Sequence, residues 1–339
     1  MNEVVIKAQN ISIGYAKSKQ INVLYENLSF NLYKGELVCL IGANGAGKST
    51  LLRTISASQP ALKGNILFDN QNITSLSEKE LSRQLGLVLT DKTSTGGLLV
   101  RELVELGRYP YTGFFGQLTD KDRDIVRKAM QDVGISHKAQ SYMAELSDGE
   151  RQKAMIAKAL AQECPVVLLD EPTAFLDIES RIEIMNLLHN LAMYQDKTIL
   201  LSTHDIDMAL LLADRLWLLS KDKGLASGVT EDIIFSGKMD GFFKGENIVF
   251  DRYTGNFLPK RANDKKVHLK AHGILYHWTK NILERNGFSL AKTGDENVLF
   301  TVLSQETPPS FSIVKNNNTI ELYSFEQLAA FLKDMVAES

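Results

Sequence analysis

The stretch Gly42-Ala43-Asn44-Gly45-Ala46-Gly47-Lys48-Ser49-Thr50 constrains this chain more than any other. It follows the apolar run at residues 37–41 and opens a helical pattern through Leu51, Leu52 and Ile55. A strand, a glycine-rich loop and a helix in that order form a cradle for phosphate. The glycines at 42, 45 and 47 let the backbone curl so that successive N–H groups face one anion. Lys48 is placed to reach β- and γ-phosphates, the Ser49 hydroxyl suits Mg²⁺, and the helix aims its positive end at the same oxygens. The spacing predicts that the chain binds a nucleoside triphosphate.

Bulk properties limit what surrounds that loop. A length of 339 residues fits one large domain and a second smaller one, and 44% apolar residues suffice for a sizeable core. A formal charge of −3 gives no reason to expect nucleic acid as a partner. Two cysteines cannot form a disulfide framework, and Cys39 and Cys164 read as small core residues of a reducing compartment. No apolar run approaches membrane-spanning length, so a membrane role has to come through a partner.

In chain order, residues 4–15 alternate as a strand, and residues 28–32 form a second. Tyr15, ahead of the polar AKSKQ loop, is either a platform for an adenine ring or a strand-end cap. Ser77 and Glu80 open a helix with a capping box, and residues 85–89 form a strand ending in Thr90-Asp91. A helical region follows, with helices expected at 100–106 and 119–133 and Gly134 as the stop. Between those helices, Tyr111, Phe114 and Phe115 lie in an aromatic loop that either closes a small core or docks a protein. Ser147 and Glu150 form another capping box. Residues 166–172, VVLLDEP, form a strand buried on both faces, with two carboxylates at its carboxyl end. Asp170 fits the Mg²⁺-holding acid and Glu171 the base that polarises the attacking water. The strand at 198–202 delivers His204 to the same side of the sheet, where it can contact a γ-phosphate.

These motifs, in this order, resemble the ATP-binding cassette family, the ATPase subunits of transporters. The resemblance covers about residues 3 to 258. It implies an α/β P-loop NTPase fold of the cassette type, with a helical subdomain over about 92–163. Residues 42–50 match the Walker A loop, 166–171 Walker B, LSDGE at 146–150 the signature motif, and Asp177 the end of the D-loop. His204 matches the switch histidine and Tyr15 the adenine-stacking aromatic. ATP and Mg²⁺ are then the implied cofactors. Ser147, Gly149 and Glu150 of one copy would complete the site held by Lys48 of another in a homodimer. Residues 100–124 look like the ATP-binding subunits of importers for iron-siderophores, haem or cobalamin. That likeness implies a chain on the cytoplasmic face of the membrane, bound to permease subunits and fed by a periplasmic or lipoprotein substrate-binding protein.

Two positions depart from the family pattern. Asp148 replaces the first glycine of the usual LSGGQ, and Thr90 stands where a Gln normally meets Mg²⁺ and water. Both bear on turnover and keep a low-turnover, nucleotide-gated regulatory role in play. A soluble cassette acting on ribosomes would carry two cassettes, a coiled-coil insertion or a basic surface, and none is present. Residues 259–266 read as a charged linker and 267–339 as a small accessory α+β domain of βαβββα order, with a regulatory or dimer-stabilising role. Its histidines at 268 and 272 would stand ~13 Å apart on one strand face, too far to share an ion.

Overall fold

A computed structural model describes residues 3–17, 20–89, 97–113, 116–242, 248–260, 265–291, 295, 298–305, 309–315 and 318–337. The chain divides into two compact units, one of residues 1–244 and 250–256, the other of residues 245–249 and 257–339.

The first unit begins with β1 (Val4–Lys17) and β2 (Gln20–Tyr33), followed by β3 (Leu37–Ile41) and α1 (Lys48–Ile55). Next come β4 (Lys63–Phe68), β5 (Gln71–Asn72), α2 (Glu78–Gln84) and β6 (Leu85–Val88). The helical segment holds α3 (Val100–Glu105), α4 (Asp120–Asp132) and α5 (Asp148–Ala161). After it run β7 (Val166–Asp170), α6 (Ile178–Gln195), β8 (Thr198–Thr203), α7 (Ile206–Leu212), β9 (Arg215–Ser220) and β10 (Gly224–Val229). Two short helices close it, α8 (Thr230–Phe235) and α9 (Lys238–Phe242).

Six strands form the central sheet in the order β10-β9-β3-β8-β7-β6. All pairings are parallel except β9 with β10. Every residue of β3, β7 and β8 is buried, which is why these strands read as unbroken apolar runs. The antiparallel sheet β2-β1-β4-β5 packs its apolar face, including Ile11, Ile13 and Leu32, into the same core as Leu40, Leu51 and Trp217. β2 is longer than the sequence suggests. Its pairing with β1 continues to Lys17↔Gln20, so most of the polar AKSKQ stretch is strand, where alternation on an exposed face leaves no apolar signal.

The helical segment follows its caps. Thr119 and Asp122 make the reciprocal box that starts α4, and Gly134 takes φ 71° after its end. α3 is shorter than expected because a 3-10 turn, Leu106–Tyr111, holds Pro110. Tyr111 is not a free docking aromatic. Its ring lies under Arg108, 4.0 Å from the guanidinium carbon, and its hydroxyl donates to Gln162 O at 3.0 Å. Tyr109 is exposed, and Phe114 and Phe115 lie outside the described residues.

The hairpin of β11 (Ile248–Asp251) and β12 (Asn256–Pro259) lies where the chain passes between units. Beyond it come β13 (Lys265–Lys270), α10 (Gly273–Arg285), β14 (Phe288–Leu290), β15 (Val298–Gln305), β16 (Ser310–Lys315), β17 (Asn318–Leu322) and α11 (Phe325–Ala337). The sheet order is β14-β13-β15-β16-β17. β14 is one strand more than the expected βαβββα, a three-residue element too short to show a period of two. β13 ends at Lys270, so His272 precedes α10 and shares no strand face with His268. At the start of α11, Gln327 N donates to Ser324 Oγ at 3.1 Å, and the Gln327 side chain accepts from Tyr323 N at 2.6 Å.

Candidate nucleotide site

The loop between β3 and α1 shows what each glycine is for. Gly45 and Gly47 take φ 72° and 95°, the left-handed conformation that only glycine adopts without strain. Gly42 has another reason. A Cβ there would stand 2.6 Å from Leu219 O, so the loop leaves β3 by lying against the end of β9. Tyr25 supports the loop from β2, its hydroxyl donating to Ala46 O at 2.6 Å. Ala43, Asn44 and Gly45 are exposed, Ser49 is half-buried and Thr50 is buried at the start of α1.

Lys48 is 5% exposed and sits at the centre of a charged cluster. Its Nζ donates to Gly42 O at 3.0 Å, stands 3.0 Å from His204 Nε2, and lies 3.6 Å from Glu171 Oε1. His204 Nε2 is in turn 2.8 Å from Glu171 Oε1. Burial pushes the Lys48 ammonium below its ordinary pKa, while the carboxylates of Glu171 and Asp170 pull it back up. Three parallel strands bring this cluster together, since Lys48, Glu171 and His204 all follow the carboxyl ends of β3, β7 and β8.

Ser202 fixes the acids. Its hydroxyl donates to Asp170 Oδ1 at 2.7 Å and accepts from Glu171 N at 2.9 Å. Glu171 itself takes φ 48°, turning its side chain out of the strand at a cost of ~1–3 kcal/mol. Ser202 and Tyr25 support the site without belonging to any of its sequence motifs. Ser202 carries a sequence signal, as a polar residue near the end of an apolar strand; Tyr25 carries none, because its partner Ala46 lies in the phosphate loop, 21 residues away. Asp170 and Ser49 offer hard oxygen ligands, a carboxylate and a hydroxyl, beside a phosphate-binding loop, and this donor set fits Mg²⁺. Thr90 and Asp91 lie outside the described residues.

Tyr15 is 46% exposed while its hydroxyl meets Thr50 Oγ1 at 2.7 Å, which ties the aromatic to the helix carrying Lys48. A second group stands apart. Ser147 and Glu150 form the expected capping box at the start of α5, and Lys138 meets Glu150 at 3.1 Å. Asp177 caps α6 by accepting from Ser180 N at 2.8 Å, which holds its carboxyl below the usual range. A Cβ on Gly149 would stand 2.8 Å from Ser180 Oγ, so the two helix starts abut. Asp148 faces Arg151 at 2.7 Å. Among the described residues no hydrogen bond or ion pair joins Ser147, Gly149, Glu150 or Asp177 to Lys48 of the same chain.

Known protein families match both parts of the chain. The family model "ABC transporter" matches residues 25–174, and "Iron ABC transporter C-terminal domain" matches residues 264–333. An uncharacterized ABC transporter ATP-binding protein of Methanocaldococcus jannaschii is 37% identical over 284 residues, 82% of this chain and 97% of the relative. The ferric enterobactin transport ATP-binding protein FepC of Escherichia coli is 37% identical over 229 residues, 68% of this chain and 83% of its own length. Among solved structures, one described as an inward-facing metal-chelate type ABC transporter superposes with a TM-score of 0.62 at 27% identity, covering 71% of this chain and 89% of that one. A dimeric post-hydrolysis cassette bound to ADP and Pi superposes at 0.58 with 28% identity, over 66% of this chain and 98% of that one.

Proposed function

The chain belongs to the ATP-binding subunits of ABC transporters, ATPases that drive transport, and from that premise we propose that it powers import of an iron chelate through a separate membrane permease. The observation that carries the proposal is the Lys48–His204–Glu171 cluster at the mouth of the phosphate loop. The iron-transport relatives and the iron-type C-terminal match support the cargo class. No helix among the described residues is long and apolar enough to cross a membrane, so the path for the cargo lies in other subunits.

In this reading the loop N–H groups of residues 43–48 and the Lys48 ammonium hold the β- and γ-phosphates, and Tyr15 stacks on adenine. Ser49 and Asp170 would hold Mg²⁺, with Thr90 as a third oxygen donor, and the ion supplies charge neutralisation on the phosphates. Glu171 accepts a proton from the attacking water, and its neighbour His204 steadies the γ-phosphate. Ser147, Gly149 and Glu150 serve the site of a second copy, with Asp177 beside them. The closed dimer gains an anion at the N-terminus of α5 that the open form lacks. The chain sits on the cytoplasmic face against the permease, and a substrate-binding protein on the opposite face delivers the cargo.

The test is uptake of a radioiron chelate into proteoliposomes holding this chain with its permease, ATP enclosed and the substrate-binding protein outside. ATP-dependent uptake that disappears with Glu171→Gln supports the proposal. Uptake in the reverse direction, or ATP hydrolysis with no iron movement, sinks it.

A further inference from the structure

The C-terminal unit contains a groove of about 790 Å³, within the range of small-molecule sites, whose lining residues all belong to that unit. Its floor is rigid. Ile282 and Phe288 are buried core residues, Phe288 packs its ring against Phe300 at 5.4 Å, and Phe325 packs against Phe311 at 4.8 Å. Its walls expose Trp278, Val249 and Leu258 to solvent. A concave apolar surface with aromatic walls that ordered side chains already hold in place carries little reorganisation cost on binding.

Two cations and one acid line it. Lys260 and Arg285 both line the groove, and neither is ion-paired among the described residues. Glu284, the acid in the same lining, has Lys280 at 3.8 Å on its own helix. Asn281 adds an amide, which His277 meets at 3.2 Å. We propose that this groove is a binding site for an amphipathic organic anion, one carboxylate or sulfonate on a ring-bearing or short-chain apolar body. The apolar portion lies over Ile282 and Phe288 beside Trp278, and the acid group faces Lys260 and Arg285. This site is independent of the nucleotide site and of the cargo assignment, because none of its lining residues is used there.

The test uses the full chain and 1-anilinonaphthalene-8-sulfonate as the probe. Titration gives one saturable fluorescent site that excess ATP does not displace. Decanoate competes, while decanol, equal in apolar length and uncharged, competes at least about tenfold more weakly. Lys260→Gln with Arg285→Gln lowers probe affinity about tenfold, a sum of two exposed charge contacts, and Arg285→Lys keeps most of it. Both positions are polar groove-wall groups outside the core, and far-UV circular dichroism confirms the fold of each variant. Trp217 is fully buried, so acrylamide quenching reads Trp278, the chain's other tryptophan, and decanoate reduces it. Displacement by ATP, equal competition by decanol, or unchanged affinity in the double variant overturns the proposal.

Discussion

The hydroxyl of Tyr25, on the antiparallel sheet, donates 2.6 Å to the carbonyl of Ala46 in the phosphate loop. Burial, with Asp222 nearby, pushes the phenol up to about 12, so the donor stays protonated across the working pH range. Tyr25→Phe leaves that buried carbonyl without its donor, a loss of about 1–2 kcal/mol. The expected result is a lower denaturation midpoint and a several-fold rise in the Kd for ATP, read by urea unfolding and nucleotide titration. Unchanged values for both would show that the loop stands without this strut.

Glu171→Gln removes the proton acceptor but keeps the side chain's size. Hydrolysis should fall by ~10²–10⁴ while ATP stays bound. The variant should also accumulate a dimer in saturating ATP, visible by light scattering. A strictly monomeric variant would rule out a site shared between two copies.

Lys48→Ala takes the cation away from Gly42 O, His204 and Glu171 together. ATP-dependent uptake should vanish and nucleotide affinity should fall, because the phosphate charge loses its partner. Transport surviving in this variant would refute the phosphate-loop assignment.

Gly149 is where the start of α5 meets Ser180 of α6. Gly149→Ala forces Ser180 to move, since the new Cβ would stand 3.1 Å from Ser180 Cβ. The expected outcome is reduced ATPase activity with little change in ATP affinity, measured by phosphate release beside equilibrium binding. A large loss of affinity in the monomer would place Gly149 in its own chain's site instead.

Arg108 is 3% exposed, ion-paired to Asp122 at 2.9 Å and Glu163 at 2.8 Å, and donates to Ala161 O at 2.8 Å. Arg108→Met should destabilise by ~3–5 kcal/mol, because the largely buried Asp122 carboxylate loses its cation and keeps only its hydrogen bonds from Thr119. Hydrogen bonds from Thr119, then Arg108, hold that carboxyl below its ordinary value. A depressed acid stabilises the fold above the ordinary carboxylate range, and this contribution is lost as pH falls through the lowered value. Asp122→Asn should therefore flatten the acid limb of stability below about pH 4. An unaltered acid limb would mean other carboxylates dominate it.

The sequence by itself determined the elements whose causes are local. Capping boxes at Ser77 and Ser147 need only residues three apart, and the buried runs of β3, β7 and β8 carry their own burial in their composition. The order of the motifs was enough to identify the family, because phosphate chemistry demands particular residues at particular spacings. The tertiary structure alone decided what depends on distant pairs. Nothing near Gly42 in sequence reveals Leu219 O against it, and nothing near Tyr25 reveals Ala46. The outer end of β2, residues 20–23, is hidden from the sequence because every side chain there is exposed, and cross-strand hydrogen bonds to β1, not burial, hold it. Tyr111 reads as a surface aromatic until Arg108 and Gln162, up to 51 residues away, close over it. The cluster of Lys48, Glu171 and His204 spans 156 residues of chain, and only the parallel register of three strands brings it within hydrogen-bonding distance.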